Sequence, residues 1–187
     1  ELMSLTSFFL VIYEHENKNN LKSGLTYLVM THLGTGFIFA SFILMYTQTG
    51  SFSFDSFRDV AIIPQYVKDI AFVLAFVGFG TKAGMVPLHI WLPKAHPSAP
   101  SNVSALMSAV MLKIAIYGIV RYLFDFNAIG SSPDYVWLGV GIVVIGSISA
   151  LVGILYALVE NDIKRALAFS SIENVGIIFI GLGLSVV

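Results

Sequence analysis

Gly80-Thr81-Lys82-Ala83-Gly84-Met85-Val86-Pro87-Leu88-His89-Ile90-Trp91-Leu92-Pro93-Lys94-Ala95-His96-Pro97 places two lysines, two glycines and three prolines at the end of an apolar run that begins near Val67. Proline removes a backbone donor and clashes with the preceding turn, so one continuous helix over 67–98 is disfavoured. The residues after Pro87 stay apolar through Leu88, Ile90, Trp91 and Leu92. The pattern predicts a broken helix with a short second half and its break at 84–88, around Gly84 and Pro87. Unwound backbone at membrane depth is tolerated only where protein buries it or it lines a wet cavity. In transporters such breaks sit beside ion sites. The plainer alternative is a span that ends at Val86 and runs into a proline-rich loop.

Outward from this stretch, the chain is apolar nearly throughout. Hydrophobic residues make up 57% of the 187 and charged residues 11%, against roughly 25% charged in a soluble domain. There is too little charge to coat a water-facing surface. Ten Lys and Arg against eleven Asp and Glu leave no basic footprint for nucleic acid. The absence of cysteine excludes disulfides and thiolate-held metals or clusters. An integral membrane protein remains, multi-pass and lipid-embedded.

Five runs are long enough to span, at 21–46, 67–86, 99–124, 135–159 and 163–187, preceded by a partial one at 2–13. Backbone in lipid must satisfy its own hydrogen bonds, so these are helices. The fold class is all-α, a polytopic transmembrane helix bundle. The polar connectors are 14–20, 47–65, 87–98, 125–134 and 160–162. Lys18, Lys22, Lys94, Lys164 and Arg165 fall on one side, and Arg58, Lys68 and Arg121 on the other. The basic excess points the 14–20 connector to the cytoplasm. The chain opens on Glu1 in apolar sequence with no signal-peptide pattern, and closes without a polar cap. It reads as an internal piece of a longer polytopic protein.

Five ionisable residues interrupt the apolar runs. From the cytoplasmic ends of their spans, and with ~1.5 Å of rise per residue, Glu1 lies ~18 Å deep, His32 ~16 Å, Glu173 ~15 Å and Lys113 ~21 Å, with Lys82 near mid-depth. A hydrocarbon core is ~30 Å thick, so all five approach its central third. A charge there costs about 2.5–3.5 kcal/mol on insertion scales, so each is expected to face the bundle interior, pair, or touch water. Burial disfavours the charged form and an opposite charge favours it, the balance a proton relay uses. For Lys82 and Lys113 the purely structural alternative is a frozen ion pair. Glu173, within Ser170-Ser171-Ile172-Glu173-Asn174, has the alternative of bonding neighbouring hydroxyls, and His32 that of a packing histidine. His89 and His96 flank the break as relay candidates or as structural residues of proline turns. No histidine pair has the spacing of a metal site, so no metal is expected. Gly34/Gly36, Gly139/Gly141 and Gly176/Gly181/Gly183 read as close helix contacts.

The stretch from Gly80 to Pro97 resembles the broken seventh helix of the proton-conducting, antiporter-like subunits found in respiratory complex I, Mrp-type cation/proton antiporters and group 4 nickel–iron hydrogenases. Residues 100–121 with Lys113 are similar to that family's next helix, with its second buried lysine. Glu1-Leu2-Met3-Ser4-Leu5 resembles the fifth helix with its essential glutamate. Asn161-Asp162-Ile163-Lys164-Arg165-Ala166-Leu167-Ala168-Phe169-Ser170-Ser171 resembles the start of the tenth. Ala95-His96-Pro97-Ser98-Ala99-Pro100 and Ser171-Ile172-Glu173-Asn174-Val175-Gly176 point to the hydrogenase-4 and formate hydrogenlyase branch.

The resemblance implies an inverted-repeat fold. Residues 1–126 would hold most of the first repeat and 127–187 the first two helices of the second. It implies proton transfer through Glu1, Lys82 and Lys113, with His32, His89, His96 and Glu173 as relay candidates. It also implies a place in the inner (plasma) membrane beside other membrane subunits and a peripheral redox arm. No cofactor is expected in this chain, so oxidoreductase activity would belong to the whole complex. The rivals are an Mrp-type Na⁺(K⁺)/H⁺ antiporter subunit and a structural membrane anchor.

Overall fold

The computed structural model describes residues 2–14, 16–58, 63–126 and 135–187. Among them every regular element is helical: α1 (Leu2–Val11), α2 (Lys18–Thr49), α3 (Phe54–Arg58), α4 (Gln65–Ala83), α5 (Leu92–Ser98), α6 (Ser101–Leu106), α7 (Leu112–Arg121), α8 (Val136–Val159) and α9 (Ile163–Leu184). A π-helical turn over Met107–Met111 joins α6 to α7, and another over Tyr122–Phe126 extends α7. These pieces form one rod over Ser101–Phe126.

Four helices are long and apolar enough to cross a membrane: α2, the Ser101–Phe126 rod, α8 and α9. The fifth expected span is the broken one. Its first half, α4, has 19 residues and carries Lys68, Asp69 and Lys82. The element ends follow local chemistry. The Asn17 side chain accepts from the Asn19 N–H at the start of α2. Asp162 accepts from the N–H groups of Lys164 and Arg165 at the start of α9. Gly50 closes α2 in the left-handed conformation, its N–H bonded to the Tyr46 carbonyl.

The bundle is apolar on the outside. On α2 the buried positions include Gly24, Tyr27, Thr31, Gly34, Thr35 and Ser41, while Leu25, Val29, Leu33, Phe37 and Ile43 are exposed. A helix in water shows the reverse. In lipid the outer face gains nothing by being polar, and small residues bring backbones together. A Cβ on Gly34 would lie 2.9 Å from the Gly78 carbonyl oxygen, which ties α2 to α4.

The α8–α9 hairpin extends this logic. Gly139, Gly146 and Gly153 recur every seven residues on α8 and face the α9 backbone at Gly183, Gly176 and Glu173. Of the glycines singled out in the sequence, Gly36, Gly141 and Gly181 meet nothing within 4 Å. They lie on the outer faces, whereas Gly34, Gly139, Gly176 and Gly183 make close contacts and Gly146 and Gly153 join them.

Two buried clusters result. One joins α4, the Ser101–Phe126 rod and the α8–α9 pair through residues such as Phe72, Phe76, Ile119 and Phe179. The other surrounds α5, with Tyr27, Trp91, Leu92, Val103, Met107 and Phe169. The short second half of the broken helix is therefore a core element, wrapped by α1, α2, α6 and α9. A surface loop would have left Trp91 and Leu92 accessible, yet they are 1% and 0% exposed.

Candidate functional site

The break is built where the sequence places it. Gly84 ends α4 with φ 77°, and a Cβ there would also press to 2.8 Å from Leu92 Cδ1. Only glycine combines that backbone conformation with that packing. The freed backbone groups are satisfied from three directions. The Met85 N–H donates to the Gly80 carbonyl at 2.9 Å. The Trp91 Nε1–H donates to the Thr81 carbonyl at 2.8 Å. The Val86 N–H donates to Ser149 Oγ of α8 at 3.1 Å. A helix interrupted inside a bundle thus keeps its polar groups paired, the condition for surviving at membrane depth.

Lys82 sits in the last turn of α4, where the carbonyl end of the helix dipole favours a cation. Its ammonium is half-buried and donates to Ser4 Oγ on α1 at 3.0 Å. Ser4 is itself buried. One turn further along α1, the Tyr27 hydroxyl of α2 donates to Ser7 Oγ at 2.9 Å. Lys82 therefore lies in a hydroxyl-lined seam between α1 and α4. Glu1, its expected counter-charge, lies outside the described residues.

A second polar region opens between α6 and α9, a cleft of about 530 Å³. Ser101, Ser104 and Ser108 line one wall, Ser170, Ser171 and Asn174 the other, with Lys164 and His96 also lining it. His96 is 3% exposed. Its Nδ1 shares a hydrogen bond with Ser104 Oγ, while Nε2 is buried with no hydrogen-bond partner among the described residues. Lys164 Nζ donates to the Ala99 carbonyl at 2.9 Å, which closes the cleft over the end of α5. A buried ring nitrogen without a protein partner beside a polar space is a place for ordered water. His89 is half-buried within the break and its Nδ1 is likewise without a partner among the described residues.

The other candidates are not gathered into one interior by these helices. Lys113 is exposed, with Nζ donating to the Ser108 carbonyl in the first π turn at 2.8 Å. The buried face of α7 runs through Leu112, Ala115, Ile116 and Ile119, and Lys113 falls about 100° round the helix from Leu112. The carbonyl that receives it belongs to Ser108, one of the serines of the cleft. His32 is also exposed, for the same reason on α2: Thr31 and Thr35 hold the buried face and the histidine is one step off it. Its Nδ1 bonds the Leu28 carbonyl at 2.9 Å, and its surroundings are Val29, Leu33 and Phe37. Glu173 is half-buried at the edge of the α8–α9 contact. The nearby Ser171 hydroxyl donates to the Leu167 carbonyl, a bond within its own helix. Of the mid-depth groups, Lys82 is half-buried between helices while His32 and Lys113 lie on exposed faces, because depth along a helix does not fix the angle around it.

Several participants were not legible in the sequence. Lys68 is 2% exposed in the first turn of α4, although its position beside Asp69 reads as a connector charge. Ser4, Ser104 and Trp91 were hidden for lack of a pattern. Ser149 had one: it continues the small-residue face of Gly146 and Gly153 at helical spacing.

A membrane bundle whose described elements are all helical, with a lysine at a protein-buried helix break and hydroxyl groups beside it, has the fold of an antiporter-like membrane subunit. The chain belongs to the family of NADH:quinone oxidoreductase/Mrp antiporter transmembrane proteins, which it matches over residues 1–187. It is 49% identical over its whole length to hydrogenase-4 component B of Escherichia coli K12, of which it covers 27%. To formate hydrogenlyase subunit 3 of the same organism it is 34% identical over 191 aligned residues, 28% of that protein. The chain therefore spans little more than a quarter of these relatives. Its fold superimposes on a subunit of the Mrp complex from Dietzia with a TM-score of 0.78 at 29% identity, covering 89% of this chain and 30% of that one. A chain of the archaeal membrane-bound sulfane sulfur reductase shares the fold with a TM-score of 0.86 at 24% identity, covering 96% and 36%.

Proposed function

We propose that this chain is part of a proton-translocating membrane subunit of a redox-driven respiratory-type complex, in the plasma membrane, with Lys82 as its proton-holding group. The observation that carries the reading is the Lys82 ammonium at the end of a broken helix, bonded to a buried hydroxyl on a neighbouring helix at 3.0 Å. An ammonium at the carbonyl end of a helix, bonded to a hydroxyl, sits where a proton can be held and passed to a neighbouring polar group. Glu1 supplies the counter-charge: its approach favours the ammonium and its withdrawal favours release. Lys113 and the cleft around His96 lie on the onward route, with water completing the gaps between hydroxyls. The redox arm and its cofactors belong to partner subunits, and no electron-transfer group is assigned to this chain.

The test is Lys82→Ala in the full-length subunit within its complex, with proton uptake followed in proteoliposomes by a pH-sensitive dye. Loss of uptake with intact assembly and electron transfer is the expected result, and undiminished pumping ends the mechanism. The likeness to the Mrp complex favours a second reading, cation/proton antiport through the same residues. Sodium-dependent proton movement without any redox substrate would select it.

A further inference from the structure

At the opposite end of the bundle from the cleft, a slot of about 420 Å³ opens between α2, α4 and α7. Its walls include the rings of Phe42, Phe54, Phe79, Tyr122 and Phe126, and Arg121 stands at its mouth. The volume lies within the roughly 300–1,000 Å³ of small-molecule sites. From Phe126, at the end of the rod, to Gly118 in the inner wall the slot extends about 12 Å along the helix axis. Its mouth adjoins α3 in the 47–65 connector, so it starts at headgroup level and runs into the hydrocarbon layer.

Among the described residues, the charges at the mouth come in equal numbers. Arg58 pairs with Asp55 at 2.8 Å and approaches Asp125 at 3.8 Å, and Arg121 pairs with Asp125. The Arg121 guanidinium also lies 5.9 Å from the ring centres of Phe54 and Tyr117, between the apolar slot and the water-facing quartet. Asp55 remains 86% exposed. We propose that this slot binds one ethanolamine phosphoglyceride, with an acyl chain among the aromatic rings, the phosphate on Arg121 and Arg58, and the ammonium on Asp55 and Asp125. Two cations beside two carboxylates match a headgroup that carries both signs. A headgroup of net negative charge would meet the carboxylates with no cation to spare, and an uncharged quinone would leave the quartet unused. A primary ammonium donates hydrogen bonds to carboxylates, which a choline headgroup does not. The inference does not depend on which ion the subunit moves.

The test is native mass spectrometry of the full-length subunit in its complex, delipidated and then titrated with dioleoyl phosphatidylethanolamine, phosphatidylcholine or phosphatidylglycerol. The expected result is one tightly retained phosphatidylethanolamine, at least tenfold tighter than either competitor. Arg121→Gln should weaken it tenfold or more. Gly118→Ala acts on the other end: its Cβ would lie 2.5 Å from the Phe79 ring and push that ring into the slot, so retention should fall with the charges untouched. Equal affinity for phosphatidylglycerol, or unchanged retention in Gly118→Ala, overturns the proposal. The headgroup comparison on the unaltered protein decides the matter if either variant fails to assemble.

Discussion

Replacing Ser149 with alanine tests whether α8 holds the helix break in place. The side chain is fully buried, accepts from the Val86 N–H at 3.1 Å and donates to the Ile145 carbonyl at 2.8 Å. Alanine leaves the Ile145 carbonyl its own helical partner but strands the Val86 N–H, three residues past the end of α4. An unsatisfied buried donor costs about 1–3 kcal/mol. The better helix propensity of alanine returns about 0.5 kcal/mol. The net is about 0.5–2.5 kcal/mol, a factor of roughly 2–70 in the local opening equilibrium. Hydrogen exchange at the Val86 amide, followed in the full-length protein in lipid nanodiscs, should accelerate by that factor, and proton uptake should fall with it. Ser147→Ala is the control, since its hydroxyl bonds only the Val143 carbonyl of its own helix; it should leave Val86 unchanged. If Val86 exchanges at the same rate in Ser149→Ala as in the parent, the break is not held by α8 and the reasoning fails.

Trp91→Phe should cost about 1 kcal/mol from its hydrogen bond, because the Thr81 carbonyl keeps the Gly84 N–H as a partner; chemical denaturation in detergent measures it. Gly176→Ala should destabilise by about 1–3 kcal/mol, since its Cβ would meet the Ala150 nitrogen at 2.5 Å and the Gly146 carbonyl at 2.6 Å. Gly181→Ala, with nothing within 4 Å, should be neutral or mildly stabilising in the same denaturation assay. His96→Phe should change stability by less than about 1 kcal/mol, as the lost bond to Ser104 is offset by removal of the partnerless Nε2. It should nevertheless slow proton uptake several-fold, and unaltered uptake would remove His96 from the route.

The sequence by itself determined the spans, the connectors and the break. These follow from one-dimensional facts: runs of apolar residues as long as a bilayer is thick, and prolines and glycines that stop a helix wherever they fall. Lys82 was legible for the same reason, since it stands next to the residues that end α4. What the sequence left open was direction around each helix axis. His32 and Lys113 are deep in apolar sequence yet exposed, because a residue's face is set by which small residues the neighbouring helix meets. In a chain whose inner and outer surfaces are both apolar, hydrophobicity carries no signal for that choice. The tertiary structure alone decided that Ser4 receives Lys82, that Ser149 caps the break from another helix, that Lys68 is buried, and that His96 and Lys164 share a serine-lined cleft. Each is a contact between residues far apart in the chain, fixed by how closely glycine-faced helices approach.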